Sequence, residues 1–184
     1  IEKPIIWDKS GEYKRYLDIK EGISPLVFPG KAGVVVKSES YEHDEFGITT
    51  EEEEKIEKMQ NKRLRKYQTL RKEIEKLEGV KVYGNKNSDR AIIVFGSNKG
   101  VGIEISRELN IKVIQPLILQ PFPEEQMKKA TSGVKNLISV ESNASAQLAQ
   151  LLRGYDIKVK DSILKYTGRP FFLEELKDKL KTKI

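Results

Sequence analysis

Residues 91–109 read AIIVFGSNKGVGIEISREL, and this stretch decides the fold. The run Ala91–Phe95 is apolar at every position, which is typical of a strand buried on both faces of a sheet. A Gly-Ser-Asn turn follows at 96–98, and a helix is predicted from about Lys99 to Leu109. A buried strand that passes through a tight turn into a helix is the repeating unit of α/β folds, so this fold class is the first expectation.

Strands and helices keep alternating along the C-terminal half of the chain. Further short apolar runs predict strands at 112–119, broken by Pro116, at 136–141 and at 163–166. Helical segments lie between and after them, beginning at Pro123, Ala144 and Leu173. We therefore expect a three-layer α/β/α sandwich with a mostly parallel sheet.

The residues ahead of this region have a different character. Residues 1–48 hold much of the glycine and proline of the chain, which predicts an irregular arm with two short strands at 13–19 and 34–37 and no core of its own. A long charged helix is predicted from Thr50 to Glu78, with Thr50 and Glu53 in a capping-box pattern and Gly79 as its stop. The predicted domains are the arm at 1–48, the connecting helix at 49–79 and an α/β domain at 80–184.

The bulk composition excludes several classes of protein. The chain has no cysteine, so its own residues cannot form disulfides, thiolate zinc sites or cysteine-ligated iron–sulfur clusters. No apolar run approaches the length of a membrane span and no signal peptide is recognisable, so we expect a cytoplasmic protein without a membrane partner. The abundance of Lys, Glu and Ile resembles the composition of thermophile proteins.

The formal net charge of +6 raises the question of nucleic-acid binding. Lys and Arg residues are interleaved with Glu along the same predicted helices, so the sequence gives mixed faces rather than one positive stripe. Aromatic residues do not alternate with the basic ones. The sequence therefore argues against a nucleic-acid partner.

The segment Gly96–Gly102 resembles the Gly-x-x-x-Gly-x-Gly turn of short-chain dehydrogenases, because it follows a buried strand and opens a helix. That family also has a downstream Tyr-x-x-x-Lys pair, whereas the spacing occurs here only upstream, at Tyr16 and Lys20. An acidic residue is expected near the end of the next strand, where this chain has Gln115 and Gln120. A nucleotide-binding reductase and a tight strand-to-helix turn both stay open on this evidence.

The only histidine of the chain lies in Glu42-His43-Asp44-Glu45. Carboxylates and an imidazole are suitable ligands for a divalent metal ion. Neighbouring residues in an extended chain point to opposite faces, however, so at most two of the four side chains would converge without a turn. We expect a structural network in which His43 bonds a carboxylate, with a metal site as the alternative.

Two further segments carry candidate site residues. Ser142 and Asn143 follow a predicted strand at the edge where α/β sheets bind ligands or partners, although either residue could instead cap the next helix. Ser142 has no histidine placed for a nucleophilic triad. Arg169 lies in a predicted Gly-Arg-Pro turn and is expected to pair with a carboxylate.

Several of these strings occur together in one family. The chain resembles the alpha subunit of 2-oxoacid:ferredoxin oxidoreductases in an ordered set of motifs: Gly22-Ile23-Ser24-Pro25, Glu42-His43-Asp44-Glu45, Asn61-Lys62-Arg63, Gly96-Ser97, Gln115-Pro116, Glu141-Ser142-Asn143 and Gly168-Arg169-Pro170. The set covers nearly the whole chain. The chain departs from the family pattern at one position, at the start of the predicted helix that contains Gln147. Ala146 stands there in place of the usual glycine, so a close backbone contact that the glycine would allow is in question.

The resemblance implies a fragment that is inactive alone, comprising the tail of a pyrimidine-binding domain and a transketolase C-terminal-like domain. The family oxidises a 2-oxoacid, such as 2-oxoglutarate or pyruvate, with coenzyme A to an acyl-CoA and carbon dioxide. Thiamine diphosphate, Mg and iron–sulfur clusters act in the assembled enzyme, and this chain alone is expected to bind none of them and to supply no catalytic residue. The implied partners are a beta subunit, possible further subunits, and ferredoxin and coenzyme A at the level of the complex.

The resemblance also assigns a role to the candidate residues. It implies that they lie at a subunit interface or in one wall of the assembled active site: Glu42, His43, Asp44, Glu45, Ser142, Asn143 and Arg169. A non-enzymatic scaffold, in which the helix from Thr50 to Glu78 docks a partner, is the third hypothesis beside the oxidoreductase subunit and the nucleotide-binding reductase.

Overall fold

The structure is a computed structural model that describes residues 3–8 and 11–183. The chain divides into two compact units, Ile1–Glu73 and Ile74–Ile184, called unit 1 and unit 2 below. Among the described residues, no helix has the length and apolar character that a membrane crossing requires.

Unit 2 is built on one five-stranded sheet. Its strands are β1 Val80–Gly84, β2 Arg90–Val94, β3 Lys112–Pro116, β4 Asn136–Glu141 and β5 Asp161–Leu164. They lie in the order β1-β3-β2-β4-β5, with β1 antiparallel to β3 and every other pair parallel. The central strand β2 is fully buried from Ala91 to Val94, as its continuous apolar run predicted.

Helices cover both faces of this sheet. These are α2 Lys99–Leu109, α3 Glu124–Thr131, α4 Gln147–Arg153 and α5 Leu173–Lys181, with a short 3-10 turn at Gly96–Asn98, whereas helix α1 Glu53–Glu75 lies almost wholly in unit 1. Ile92 and Val94 share one apolar cluster with buried residues of α2 and α5. Ala91 and Ile93 share the opposite cluster with buried residues of α3 and α4. Because alternate residues of a strand face opposite sides, these two clusters confirm the three-layer sandwich with a mostly parallel sheet.

Some predicted boundaries in unit 2 were wrong by a few residues. β3 ends at Pro116 rather than at 119, because proline has no N–H for a further ladder bond. β5 begins at Asp161 rather than at 163. Gly79 does not end α1 in a left-handed conformation. A Cβ at that position would lie 2.7 Å from Pro123 Cβ, so glycine is required there by a close approach.

Unit 1 is irregular ahead of α1, but the strands predicted at 13–19 and 34–37 do not form. Extended pairing among its described residues consists of two isolated bridges, Ile6 with Leu26 and His43 with Thr49. The Tyr16 N–H donates to the carbonyl of Glu45 (2.9 Å), so the backbone at 13–19 bonds a distant loop instead of a neighbouring strand. Tyr16 and Glu45 are far apart in the sequence, so the propensities of the residues around Tyr16 could not predict this hydrogen bond.

The arm nevertheless has a small apolar cluster, which the sequence did not suggest. Trp7, Tyr13 and Val27 are buried together, and the Trp7 and Tyr13 rings meet edge to face with centroids 5.7 Å apart. The Tyr13 hydroxyl donates to the carbonyl of Pro25 (3.3 Å) and accepts from the Val27 N–H (3.1 Å). The phenol thus satisfies backbone groups inside the cluster, where an unpaired polar group would be destabilising.

Helix α1 begins at Glu53, close to the predicted start. Thr50 is not its N-cap, because the first helical carbonyl is that of Glu52, and Thr50 Oγ1 accepts from the Glu52 N–H (3.2 Å) in a turn ahead of the helix. The reciprocal half of the predicted capping box is not formed either, because the Thr50 N–H donates to the carbonyl of Glu42 (3.0 Å). The segment 42–50 is therefore tied to the start of the helix by backbone bonds.

Candidate functional site

A crevice opens at the edge of the sheet where the parallel strands end, which we call the carboxyl edge. The connection through α2 leads from β2 to its neighbour β3, towards the β1 end of the sheet. The connection through α4 leads from β4 to its neighbour β5, towards the opposite end. Since β2 and β4 are neighbours, the direction of the connections reverses between them, and ligands of α/β folds bind at such a point. The crevice has a volume of about 500 Å³, and residues that end β4 or follow β2 and β4 line it: Phe95, Ser97, Asn98, Glu141, Ser142 and Asn143.

Glu141, the last residue of β4, caps the first turn of α4. Its Oε2 accepts from the Leu148 N–H (2.8 Å) and its Oε1 from the Ala149 N–H (3.1 Å). Asn143 Nδ2 also donates to Oε2 (2.8 Å), and Glu141 is only 4% exposed. A carboxylate at the positive end of a helix is electrostatically favourable, so this buried charge is stabilised where it lies.

The two walls of the crevice are joined by a side-chain hydrogen bond. The Ser142 hydroxyl donates to Asn98 Oδ1 (3.1 Å), and Asn98 Nδ2 donates to the carbonyl of Val140 (3.2 Å). Asn98 is buried and Ser142 is exposed, so the serine lies at the mouth of the crevice. The turn after β2 is thereby fixed to the end of β4.

Asn143 has the capping role that the sequence left open, and Ser142 does not. Asn143 Oδ1 accepts from the Ser145 N–H (3.0 Å) and the Gln147 N–H (3.3 Å). This folded turn explains why α4 begins at Gln147 rather than at 144. Sequence reasoning missed Glu141 as the main cap, because it lies seven residues before the amide it bonds and matches no local capping pattern.

The glycine turn at 96–102 is explained by backbone geometry and packing. Gly96 has φ +58°, which glycine adopts without strain. A Cβ on Gly102 would lie 3.1 Å from Val94 Cγ1, so glycine lets α2 pack closely on β2. Gln115, near the position where a dinucleotide site has its acidic ribose anchor, is buried and accepts from the Tyr83 hydroxyl (3.0 Å). The Glu141 carboxylate also gives the crevice a negative charge that opposes a pyrophosphate.

Arg169 does not form the ion pair that was predicted. It is exposed in the turn at 168–170, where Gly168 has φ +73°, and no carboxylate within the described residues pairs with it. Lys165 bonds Glu175 nearby instead. The exposed aromatic rings of Tyr166 and Phe172 lie in the same connection between β5 and α5.

In unit 1, His43 is buried against an aromatic ring. It stacks on Tyr16 with centroids 3.9 Å apart and an interplanar angle of 27°. Its Nδ1 lies 2.9 Å from the carbonyl oxygen of Asp44, and its Nε2 lies 3.5 Å from Arg63 Nη2. The ring is therefore held by a backbone carbonyl rather than by the carboxylate that was expected.

The three carboxylates beside His43 are also engaged by groups of unit 1. Arg63 Nη1 lies 2.9 and 3.0 Å from the two carboxylate oxygens of Glu42, and this hydrogen bond lowers the Glu42 pKa below its usual value. Asp44 Oδ1 accepts from the backbone N–H groups of residues 46 and 48 (2.9 and 3.1 Å). The cluster thus consists of contacts within the unit, and no three His, Cys, Asp or Glu side chains in the described part of the chain are placed to hold a metal ion.

Glu45 joins the arm to the long helix. Its Oε1 accepts from the Asp18 N–H (2.8 Å), and its Oε2 lies 2.7 Å from Lys58 Nζ. Burial acts to raise the pKa of Glu45, but the Asp18 amide and the Lys58 ammonium outweigh it and hold the pKa below its ordinary value. The carboxylate is therefore stabilised in its charged form.

No family model matches the chain. Curated relatives match almost all of it. A 2-oxoacid:ferredoxin oxidoreductase subunit alpha from Saccharolobus solfataricus is 38% identical over 185 residues, covering 97% of this chain and 29% of the relative. Subunit alpha of 2-oxoacid:ferredoxin oxidoreductase 1 from Sulfurisphaera tokodaii is 38% identical over 171 residues, covering 91% of this chain and 27% of the relative.

This chain belongs to the 2-oxoacid:ferredoxin oxidoreductase alpha-subunit family. It spans less than a third of the length of the curated relatives it matches. A solved structure of 2-oxoglutarate:ferredoxin oxidoreductase from Magnetococcus marinus, with 2-oxoglutarate, coenzyme A and succinyl-CoA bound, has the same fold at a TM-score of 0.79 and 27% identity. The match covers 97% of this chain and 32% of the Magnetococcus marinus chain.

The structure explains the one departure from the family motif. Ala146 has φ 54° and ψ 49°, the left-handed region that favours glycine. The backbone conformation at this position is therefore one that glycine adopts without strain, in line with the glycine that the resemblance implied. The alanine keeps that conformation, so the turn between β4 and α4 is retained at a cost in strain.

Proposed function

We propose that this chain is the C-terminal part of the alpha subunit of an enzyme that oxidises a 2-oxoacid with coenzyme A to an acyl-CoA and carbon dioxide and reduces ferredoxin. The observation that carries the proposal is the similarity to alpha subunits over 97% of the chain. The fold shared with an enzyme that has 2-oxoglutarate, coenzyme A and succinyl-CoA bound makes 2-oxoglutarate the first substrate to test. We also propose the division into an arm at 1–48, a connecting helix at 49–79 and a transketolase C-terminal-like domain at 80–184.

The described residues do not fit the cofactors of this reaction. The chain has no cysteine for an iron–sulfur cluster, and its described residues contain no carboxylate–histidine set for a metal ion. The amides that begin α4 are occupied by Glu141, so they are not free for a diphosphate. In our proposal thiamine diphosphate, Mg and the clusters are held by a beta subunit and other parts of the enzyme, and no step of the chemistry is assigned to this chain.

The carboxyl-edge crevice is the part of this chain that we place against the assembled active site. Ser142 at its mouth is exposed, Asn143 is half-buried, and Phe95 exposes an aromatic ring between them and α2. The hydrogen bond from Ser142 to Asn98 holds this rim in a fixed shape. A fixed, partly apolar rim with few charges is suited to packing against a companion subunit.

The first test uses the enzyme assembled from the full-length alpha subunit and its beta subunit. We expect reduction of ferredoxin or a viologen dye that requires both 2-oxoglutarate and coenzyme A. The 184-residue chain alone should show no turnover and no heat of binding with thiamine diphosphate in calorimetric titration. Tight cofactor binding by this chain, or an assembled enzyme inactive with both 2-oxoglutarate and pyruvate, would overturn the proposal.

The second test concerns the rim of the crevice. Ser142→Arg places a long cation at the mouth, and we expect it to reduce turnover of the assembled enzyme at least tenfold with little change in the melting temperature of the chain. Ser132→Arg, at another exposed serine of unit 2, is the matched control and should leave turnover unchanged. Equal turnover of the two variants would contradict the role of the crevice and leave the family assignment untouched.

The competing nucleotide-binding reductase is tested by a thermal shift with NAD and NADP. The carboxylate in the crevice and the absence of an acidic anchor on β3 predict no stabilisation by either nucleotide. A rise of the melting temperature that saturates with nucleotide would favour the reductase.

A further inference from the structure

The net charge of the chain is unevenly divided between its two units. Unit 1 contains 15 Lys and Arg and 15 Asp and Glu, whereas unit 2 contains 19 Lys and Arg and 13 Asp and Glu. The whole excess of +6 therefore belongs to the α/β unit. Helices α3 and α5 of this unit have the mixed faces that the sequence predicted, with the ion pairs Lys128–Glu124 and Lys179–Glu175 along them, so the excess lies elsewhere in the unit.

The excess cations lie at the edge of the sheet opposite the crevice, which we call the amino edge. Arg90 is the first residue of β2, Lys135 immediately precedes β4, and Lys160 immediately precedes β5. The register places Arg90 opposite Asn136, and Lys160 Nζ lies 2.9 Å from Asn136 Oδ1. Since β4 lies between β2 and β5 and adjacent strands are about 4.8 Å apart, the three cations lie along the same edge of the sheet.

The ends of the helices add more cations to the same edge. A helix that follows a parallel strand runs back towards the start of the next strand, and contacts with strand residues confirm that direction here: Lys112 Nζ lies 3.5 Å from the carbonyl of Ala130 in α3, and Lys183 bonds Asp161. Arg107, Lys129 and Arg153 lie in the last turns of α2, α3 and α4. The helix dipole favours cations in the last turn of a helix, but it does not explain the cations at the starts of the strands, Arg90, Lys135 and Lys160.

Most carboxylates of the amino edge are already paired, and seven cations are not. Asp89 pairs with Lys135, Glu108 with Lys177 and Asp161 with Lys183. The remaining cations are exposed and have no carboxylate partner within the described residues, and we define them as the amino-edge patch: Lys86, Arg90, Arg107, Lys129, Arg153, Lys158 and Lys160. Repulsion among like charges without compensation is unfavourable, so this patch is suited to an anionic partner.

The chemistry of the patch favours a protein partner over a nucleic acid. Proteins that bind single strands stack bases on exposed aromatic rings, but the exposed aromatic residues of unit 2 lie outside the patch, at Phe95, Tyr166 and Phe172. Asp89 and Asp156 are exposed among the cations, and a continuous phosphate backbone would meet their charge. A protein surface can instead place its carboxylates one by one opposite the cations.

We propose that the amino-edge patch is a docking surface for an acidic protein, which it binds through exposed carboxylates. The contact depends on electrostatic complementarity, so it is weakened by salt and is separate from the crevice at the carboxyl edge. This proposal does not depend on the oxidoreductase function, because it rests on the charges of unit 2 alone.

Poly-L-glutamate serves as the acidic polypeptide probe for the 184-residue chain, with a DNA duplex of about 20 base pairs as the competing polyanion. We expect measurable binding of poly-L-glutamate at about 50 mM salt, weakening at least tenfold at about 300 mM. Lys129→Gln, Arg153→Gln and Lys158→Gln together should weaken it about tenfold, since each exposed charge pair contributes modestly. Arg90→Gln with Lys160→Gln is a second, independent variant with the same expected direction.

The matched control replaces three exposed cations of unit 1 that have no ion pair with any residue the structure describes, Lys20→Gln, Lys37→Gln and Lys72→Gln. It removes the same total charge and should change the affinity less than twofold. An equal loss in the control would show attraction by net charge alone and overturn the proposal. Tighter binding of the duplex than of poly-L-glutamate would overturn it in favour of nucleic acid.

Discussion

The substitution Glu141→Gln tests how the crevice is held together. Gln keeps the size of the side chain but removes its charge and replaces one oxygen by an NH2 group. Whichever way the amide is oriented, the NH2 faces at least one of the α4 backbone N–H groups that Glu141 now bonds at 2.8 and 3.1 Å. A hydrogen bond to a charged group is worth about 1.5–3 kcal/mol, and a charge at a helix N-terminus about 0.3–1 kcal/mol. We therefore expect the free energy of unfolding of unit 2 to fall by about 2–4 kcal/mol.

Urea unfolding followed by far-ultraviolet circular dichroism measures this loss. Hydrogen exchange of the amides at 147–153 should show reduced protection in the variant. Trp7 is the only tryptophan and lies in unit 1, so its fluorescence reports whether the arm unfolds as before. Glu125→Gln, at an exposed glutamate in the first turn of α3, is the matched control and should cost less than about 0.5 kcal/mol. A Glu141 variant as stable as this control would refute the capping argument.

Three further predictions concern backbone conformation and a buried charge. Ala146→Gly should raise the free energy of unfolding by about 0.5–1 kcal/mol, because glycine adopts the left-handed conformation without strain. Ala130→Gly, inside α3, should lower it by a similar amount. Thermal melting of both variants measures the two changes. Gly22→Ala should cost at least about 2 kcal/mol in urea unfolding, since its Cβ would lie 2.7 Å from the α1 backbone at φ +74°, and it should cost more than Gly11→Ala, where φ is +112° and the space is open. Burial lowers the pKa of Lys62, so the unfolded chain binds more protons between the lowered pKa and about 10.4. The stability of the wild type relative to Lys62→Met should therefore rise as the pH increases towards about 10.4, and a constant difference would contradict this reasoning.

The elements of unit 2 were predictable because their signals are local. The strand at 136–141 and the helices at 99–109 and 173–181 have the bounds that were expected. Continuous apolar runs identify strands covered on both faces, and helical spacing with a proline or acidic start identifies the helices between them. These signals lie within about ten residues of the element that they predict.

The arm was predicted less well because its structure depends on distant partners. Extended sequence around Tyr16 favoured a strand, but its N–H bonds Glu45 and its ring stacks on His43. The Lys62 ammonium, forty residues from its partner in the chain, donates to the carbonyl of Gly22 (3.1 Å). Propensity and alternation contain no information on such pairs, so the sequence predicted two short strands within the irregular arm where the chain forms turns.

For the candidate site, the sequence predicted the edge of the sheet but not the role of each side chain, because those roles depend on distant partners. The position of Ser142 and Asn143 after a strand predicted the correct edge of the sheet, since the carboxyl ends of parallel strands meet there. Which side chain fills which role depended on contacts across the sheet, such as the bond from Ser142 to Asn98 of the neighbouring wall. Arg169 was expected to pair only because arginines often do, and no carboxylate of the described chain forms an ion pair with it.

The polarity of a parallel sheet accounts for the placement of both proposed surfaces. Strand ends and helix starts share the carboxyl edge, so the turns after β2 and β4 meet there and form a crevice in which the buried carboxylate of Glu141 accepts hydrogen bonds from the amides of α4. Strand starts and helix ends share the amino edge, where cations favoured by the helix dipoles add to those of the strands. A companion subunit at the crevice and an acidic protein at the amino-edge patch would therefore not compete for the same residues. Substitutions at Ser142 and at Lys129 should then have independent effects, and strong coupling between them in the assembled enzyme would contradict the separation of the two surfaces.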